Sequence, residues 1–414
     1  MDEFSDEDYD ATSDTSEAQE LFEESAAGRE EGEEDGWVQV HITTDTRDAD
    51  GVNRRYGQLK RALTDEEDVF IGLFLRFFPL QTFVARFQEV ASHYRANRTT
   101  RHNVPFNRGM FLRFLGLIIR MVTHPLPNMS WHWEWPANLP ASMSASADLK
   151  KYMSHAIFKQ YWKYLLFPGF VQDLPETSDA PQAPPAQEFG GSLYHVAMRL
   201  IAAFNEKWRD GWTAGTYLVP DETMIFWTGS GELHMTFLFR KPTPYGMMFK
   251  TLCCGDSHIM LVAELAESKE RMAEMEYRDL TGASTATTLR LTKYWAGSGR
   301  TVVADSWFGS CNTAEFLMDV HGLYSIMCVK NGSSGFPKAA MKAALGGVRH
   351  RSVFYQVDVE LDTGVKPFYA GGHQDKKPLH LIATCGTSLP GESRTRYRRD
   401  MVDGSIVRQQ YTLE

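Results

Sequence analysis

Basic residues are almost missing from the first 36 positions: one, Arg29, stands against 16 Asp or Glu. Apolar side chains are scarce there too, so burial cannot offset the chain entropy, and residues 1–36 are expected to form a disordered acidic tail. Without it the balance reverses. Residues 37–414 hold 42 basic and 37 acidic residues, about +5, although the whole 414-residue chain carries −10. A mildly basic body with an acidic tail suits a nucleic-acid binder whose tail competes for its own surface. Charge alone favours the simpler role of a solubilising tail.

Cysteine is sparse as well. Cys253, Cys254, Cys311, Cys328 and Cys385 are an odd number without C-x-x-C spacing, which argues against a disulfide framework or a zinc module. Cys253-Cys254 with His258 lacks a second ligand pair and reads as core. The N-terminus has no basic start followed by an apolar run. The longest apolar stretch, 111–122, is interrupted by Arg113 and Arg120, so neither a leader nor a membrane span is expected. A soluble intracellular protein is the expectation. Gly229-Ser230-Gly231 and Gly297-Ser298-Gly299 lack the Gly-Lys-Ser/Thr of a phosphate loop and a complete G-x-S-x-G, so both read as turns.

What is present is a globular composition, 43% hydrophobic and 12% aromatic. Thr64-Asp65-Glu66-Glu67 is a capping box ahead of the stripe Val69, Phe70, Leu73, Phe74 and Phe77, which Pro79 ends. Phe83, Phe87, Val90 and Tyr94 keep helical spacing. Phe111, Leu115, Ile118 and Val122 do so in a segment apolar nearly all round, which predicts a buried helix. Trp131, Trp133 and Trp135 with His132 read as an aromatic packing cluster. Residues 37–170 are thus expected to form a helical domain. Pro175, Pro181, Pro184 and Pro185 mark 171–192 as a linker or exposed loop. Leu193, Val196, Leu200, Phe204 and Trp208 then predict one amphipathic helix.

Beyond Thr216 the runs become short and β-like, over 217–227, 235–240, 247–254 and 259–265. A helix near 285–296, a strand 301–304, a helix from Asn312 ended by Gly322 and a strand 324–329 follow. This order, antiparallel strands and then βα units, predicts an α/β fold: a ribonuclease H-like mixed sheet over 193–331, covered by helices. Alternation through Val353, Tyr355, Val357 and Val359 predicts an inserted β-rich unit over 332–392, with 393–414 returning toward the core.

Two carboxylates stand out. Asp221 lies within an apolar strand, and Asp305 directly follows Val302-Val303-Ala304, at the carboxyl end of its strand, where open α/β sheets gather ligands. Singly, each is more often a cap than a ligand. Together on neighbouring strands they suit a hard divalent cation, which takes oxygen ligands and needs only one or two carboxylates beside substrate phosphate. Two such ions roughly 4 Å apart activate water and stabilise a leaving oxygen in phosphodiester chemistry.

At these residues the sequence resembles the piggyBac family of transposases. Val219-Pro220-Asp221-Glu222 with Arg240-Lys241-Pro242 and Tyr245-Gly246 is similar to the family's first catalytic block. Val303-Ala304-Asp305-Ser306-Trp307-Phe308 with Ser310 is similar to its second. Residues 111–125 resemble a family helix, Asn205-Glu206 with Trp208 resemble the helix before the first catalytic strand, and the likeness spans about 60 to 410.

The resemblance implies that Asp221 and Asp305 are catalytic and bind Mg²⁺ or Mn²⁺ in a two-metal site. It also implies DNA strand cleavage and transfer at transposon ends, TTAA targets, a homodimer and a nuclear location. The family's third aspartate lies on a helix beyond the inserted β unit, in a Gly-Val-Asp-like motif. Asp400 and Asp403 stand in other surroundings, and the family's C-terminal Cys/His-rich module is not matched. A chain cut before that helix is therefore expected. Arg240, Lys241, Lys250 and Lys330 are candidate phosphate contacts, whereas Arg394, Arg396, Arg398 and Arg399 read as a solvated charge run. Trp227 and Tyr245 could stack on bases or simply pack. The alternatives are a domesticated or decayed derivative that binds DNA or chromatin without turnover, and a metal-dependent nuclease of the same fold.

Overall fold

The computed structural model describes residues 36–62, 64, 69–96, 106–138, 148–165, 193–226, 235–239, 241, 244–330, 333–389, 394–402 and 405–413. The acidic tail, most of the capping box and the Pro-rich segment 171–192 lie outside the described residues. The rest divides into a helical unit over 59–213 and an α/β unit built from 36–58 and the chain from Ala214 onward.

In the helical unit, α1 (Val69–Phe77) and α2 (Leu80–Ala96) are separated by Pro79, which cannot donate a helical hydrogen bond. α3 (Arg108–Thr123) is capped by Asn107, whose side chain accepts from Met110 N at 3.0 Å. α4 (His155–Leu165) and α5 (Leu193–Gly211) complete the set. Their apolar faces meet around Phe87, which is fully buried against the rings of Phe111, Phe114, Tyr161 and Tyr164. Leu200 and Phe204 of α5 pack on the same cluster. Hence α5, expected at the start of the catalytic core, belongs with the helices.

α3 departs from its expected burial on all sides. Phe111, Phe114, Leu115 and Leu117 are buried, while Leu112, Ile119 and Val122 face outward, Val122 being 74% exposed. Arg113 and Arg120 share that outward arc, so the helix is amphipathic with an unusually apolar outer face. The tryptophan segment packs as expected. Trp133 donates from Nε1 to Met153 O at 2.8 Å and stacks on His155, while Trp131 and Trp135 meet edge to face.

The α/β unit is built on a ten-stranded mixed sheet. In chain order its strands are β1 (Val38–Gln39), β2 (Tyr217–Phe226), β3 (Met235–Phe237), β4 (Tyr245–Cys254), β5 (Met260–Leu265), β6 (Thr301–Ala304), β7 (Tyr324–Cys328), β8 (Ser352–Leu361), β9 (Gly364–Gln374) and β10 (Pro378–Ala383). Across the sheet they run β1-β8-β9-β10-β7-β6-β2-β4-β3, with β5 also on β4. β2, β6 and β7 are parallel to one another, and the other pairings are antiparallel.

The parallel strands need crossovers, and helices supply them. α6 (Ala283–Thr292) precedes β6, and α7 (Cys311–His321) joins β6 to β7. Ser310 caps α7 by accepting from Thr313 N, and Gly322 ends it with φ 57°, a left-handed conformation that glycine adopts without strain. Leu218, Leu252, Leu261, Val302, Leu289 and Leu317 are fully buried in this unit.

Two boundaries differ from the sequence reading. Strands β8 to β10 do not form a separate inserted unit: Leu381, Ile382 and Ala383 pair with Cys328, Met327 and Ile326, so they extend the core sheet. Residues 38–39 also belong here rather than with the helices, pairing with Gln356 and Tyr355 at the far edge. Arg394–Val402 and Ser405–Leu413 form a two-stranded hairpin. Among the described residues, no single helix is long and apolar enough to cross a membrane.

Candidate active site

β2 and β6 are neighbours, and their parallel register sets Tyr217 against Thr301 and Leu218 against Val302. Asp221 is four residues beyond Tyr217, and Asp305 is four beyond Thr301. Side chains alternate along a strand, so continuing this register puts the two aspartates at the same level and on the same face, Asp221 midway along β2 and Asp305 just past the end of β6. Both are exposed there. Asp221 Oδ1 accepts from Glu222 N at 2.7 Å, and Asp305 Oδ1 accepts from Trp307 N at 2.9 Å. Among the described residues, neither Oδ2 has a hydrogen-bond partner.

The turn after Asp305 is held by main-chain contacts. Gly309 N donates to Asp305 O at 2.9 Å, and Gly309 lies so close to β7 that a Cβ there would stand 2.1 Å from Cys328 O. Glycine is required for this approach rather than for a special φ. Thiols flank both aspartates. Burial, followed by the charge of Asp221, pushes the Cys253 thiol up, and burial followed by the charge of Asp305 does so at Cys328. These cysteines stay protonated near neutrality and are poor metal ligands.

On the opposite face of β2 a row of charges crosses the sheet. Glu222 is registered with Lys250 on β4, and Lys250 with Glu264 on β5. The Lys250 ammonium donates to Glu222 Oε1 and also lies 3.2 Å from the ring centroid of Trp307. Glu264 in turn takes a bidentate contact from Arg290 of α6, with Nε to Oε2 and Nη2 to Oε1 both 2.8 Å. Burial pushes Lys250 below the usual lysine range, while Glu222, Glu264 and Asp305 pull it back toward its charged form.

The expected phosphate contacts fare unevenly. Lys250 is only 3% exposed and already paired, so it cannot present its ammonium to a phosphate, and that expectation is corrected. Lys330 is exposed two residues beyond β7, at the same end of the parallel strands as Asp305. Lys241 is half-buried; its amide donates to Leu238 O. Arg240 and Trp227 lie outside the described residues. Tyr245 begins β4 and is exposed.

Sequence reasoning passed over Glu222, Trp307 and the Arg290–Glu264 pair as working parts. The available signal was Lys250 itself, a lone charge in the apolar run Met248-Phe249-Lys250-Thr251-Leu252, which calls for a buried partner.

A carboxylate pair suits a hard cation such as Mg²⁺ or Mn²⁺, and each aspartate keeps one oxygen without a hydrogen-bond partner among the described residues. Among the described residues, no group of three or more His, Cys, Asp or Glu is placed to hold a metal.

A mixed sheet with one carboxylate midway along a central strand and another just past the end of the neighbouring parallel strand fits a ribonuclease H-like core of the type found in transposases. A family model described as "Transposase IS4" matches residues 71–385, about three quarters of the sequence, and the chain belongs to this IS4/piggyBac-type transposase family. Among solved structures, a piggyBac transposase synaptic complex with hairpin DNA aligns with a TM-score of 0.61 at 16% identity. The alignment covers 82% of this chain and 65% of that one, so the chain spans about two thirds of that transposase's length. At this identity the likeness establishes the fold. No curated protein matches the chain.

Proposed function

We propose that this transposase domain cleaves and transfers DNA strands at transposon ends, with Asp221 and Asp305 as the catalytic carboxylates. The observation that supports the reading is their equal offset from the paired residues of β2 and β6, with one carboxylate oxygen of each left without a hydrogen-bond partner among the described residues. When bound there, Mg²⁺ or Mn²⁺ would activate a water or a 3′-hydroxyl and stabilise the leaving oxygen of a phosphodiester. The protein's own part is orientation. Glu222 N and Trp307 N each hold one oxygen of an aspartate, which fixes the direction of the other. Lys330, exposed two residues beyond β7, is the residue we assign to phosphate contact. DNA with TTAA targets, a homodimer and a nuclear location belong to this same reading.

A second reading is a transposase-derived protein that binds DNA or chromatin without turnover. One experiment separates the two: incubation of the protein with a plasmid bearing the ends that flank its own gene. Nicking that requires Mg²⁺ or Mn²⁺ and disappears in Asp221→Asn and Asp305→Asn supports the enzyme. Binding without nicking supports the second reading. Undiminished cleavage by either variant sinks the assignment of these carboxylates.

A further inference from the structure

The two aspartates sit on segments that are joined by more than the β2–β6 hydrogen bonds. Glu222, the residue after Asp221, receives the Lys250 ammonium, and Trp307, whose amide holds Asp305, presents its ring to that same ammonium at 3.2 Å. One buried cation thus touches both catalytic segments from behind the sheet. Phe308, fully buried, lies farther off, its ring centroid 5.8 Å from the ammonium.

The chemistry of this junction is unusual for a merely structural lysine. A buried ammonium is costly without compensation, and here its direct contacts are one carboxylate and one close aromatic face, with Glu264 and Asp305 adding attraction from farther off. Its second cross-strand neighbour, Glu264, is occupied by Arg290, which leaves Glu222 and Trp307 as the groups that Lys250 orders. Movement of either segment would break one of those contacts while the other held.

We propose that Lys250 is a positioning residue that sets the spacing of the Asp221 and Asp305 carboxylates by gripping Glu222 and the Trp307 ring together. The proposal rests on the reading of these aspartates as metal-binding groups. It makes Lys250 an outer-shell partner of the site. Such partners typically alter metal affinity by about 10- to 100-fold when removed.

The test is Mn²⁺ binding to the full chain, followed by electron paramagnetic resonance, with a thermal melt recorded for every variant. Lys250→Met alone leaves Glu222 buried and unpaired and could unfold the unit, so the double variant E222Q/K250M, which removes both charges, is compared with it. Trp307→Leu removes the ring and leaves the ion pair, and Trp307→Phe restores an aromatic face. The expected result is a loss of Mn²⁺ affinity of about tenfold in E222Q/K250M and Trp307→Leu, with recovery in Trp307→Phe.

Wild-type affinity in E222Q/K250M and Trp307→Leu, alongside loss in Asp221→Asn and Asp305→Asn, overturns the positioning role and leaves the carboxylate reading standing. Absent Mn²⁺ binding in the wild type, or unchanged binding in both Asp→Asn variants, overturns the carboxylate reading and this proposal with it.

Discussion

Arg290 and Glu264 face each other as a two-pronged pair between helix α6 and strand β5, with Arg290 side-chain exposure of 7% and Glu264 of 11%. Arg290 also donates to Glu276 O and Thr287 Oγ1, so its guanidinium is almost fully used. Removing one member strands a buried charge. Arg290→Met is expected to cost about 3–5 kcal/mol, and the double variant R290M/E264L appreciably less, since both charges then leave together. Urea unfolding of the two variants checks this. Equal losses would mean that the pair contributes only through its shape.

The aspartates call for the opposite result. Asp221 and Asp305 are exposed, and asparagine can still accept from Glu222 N and Trp307 N. Asp221→Asn and Asp305→Asn should therefore change stability by no more than about 0.5 kcal/mol while abolishing metal-dependent nicking. A thermal melt beside the nicking assay separates a chemical loss from a folding one.

His321 gives a pH dependence. It is buried near the end of α7, with its ring nitrogens against Thr292 Oγ1 at 3.2 Å and Tyr277 OH at 3.3 Å. Burial pushes it down to about 4, against a smaller upward pull from Glu276. A depressed histidine means that the unfolded chain takes up its proton first. Its contribution is complete above about pH 6.5 and is lost as the pH falls toward 4, by roughly 3 kcal/mol in all. Acid titration of stability should show this fall, and His321→Gln should flatten it.

Gly309 is a steric prediction. An added methyl group would meet Cys328 O, the Met327 Cβ at 2.8 Å and Asp305 O at 3.1 Å. Gly309→Ala should cost about 1–3 kcal/mol through backbone displacement and should impair nicking as well, because the turn that carries Asp305 must move. Full activity in Gly309→Ala would show that this turn yields at no cost.

The sequence made the aspartates legible because a carboxylate inside an apolar run is conspicuous wherever it lies. The succession of strands and helices along the chain was legible too, through short apolar runs such as Val302-Val303-Ala304. Lys250 was misassigned because its environment comes from Glu222, 28 residues away, and Trp307, 57 away, and no local pattern encodes either. Strands β8 to β10 alternate well enough to be recognised, but alternation does not say which sheet they join. The outer face of α3 deceived in the other direction. Leu112, Ile119 and Val122 count as burial in any hydrophobic tally and are nevertheless exposed.

Strand β1 gives the order of assembly a direction. Val38 finds its partner at Gln356, with the entire helical unit and most of the sheet encoded between them. As the chain leaves the ribosome, residues 59–213 can gather around Phe87 while the opening strand waits, its hydrogen-bonding edge unsatisfied, until β8 emerges. Loop closure over such a separation is slow, and waiting strands invite wrong partners. The α/β unit is thus the part of the described chain most exposed to misfolding during synthesis, and the two residues of β1 are among the last to find their place.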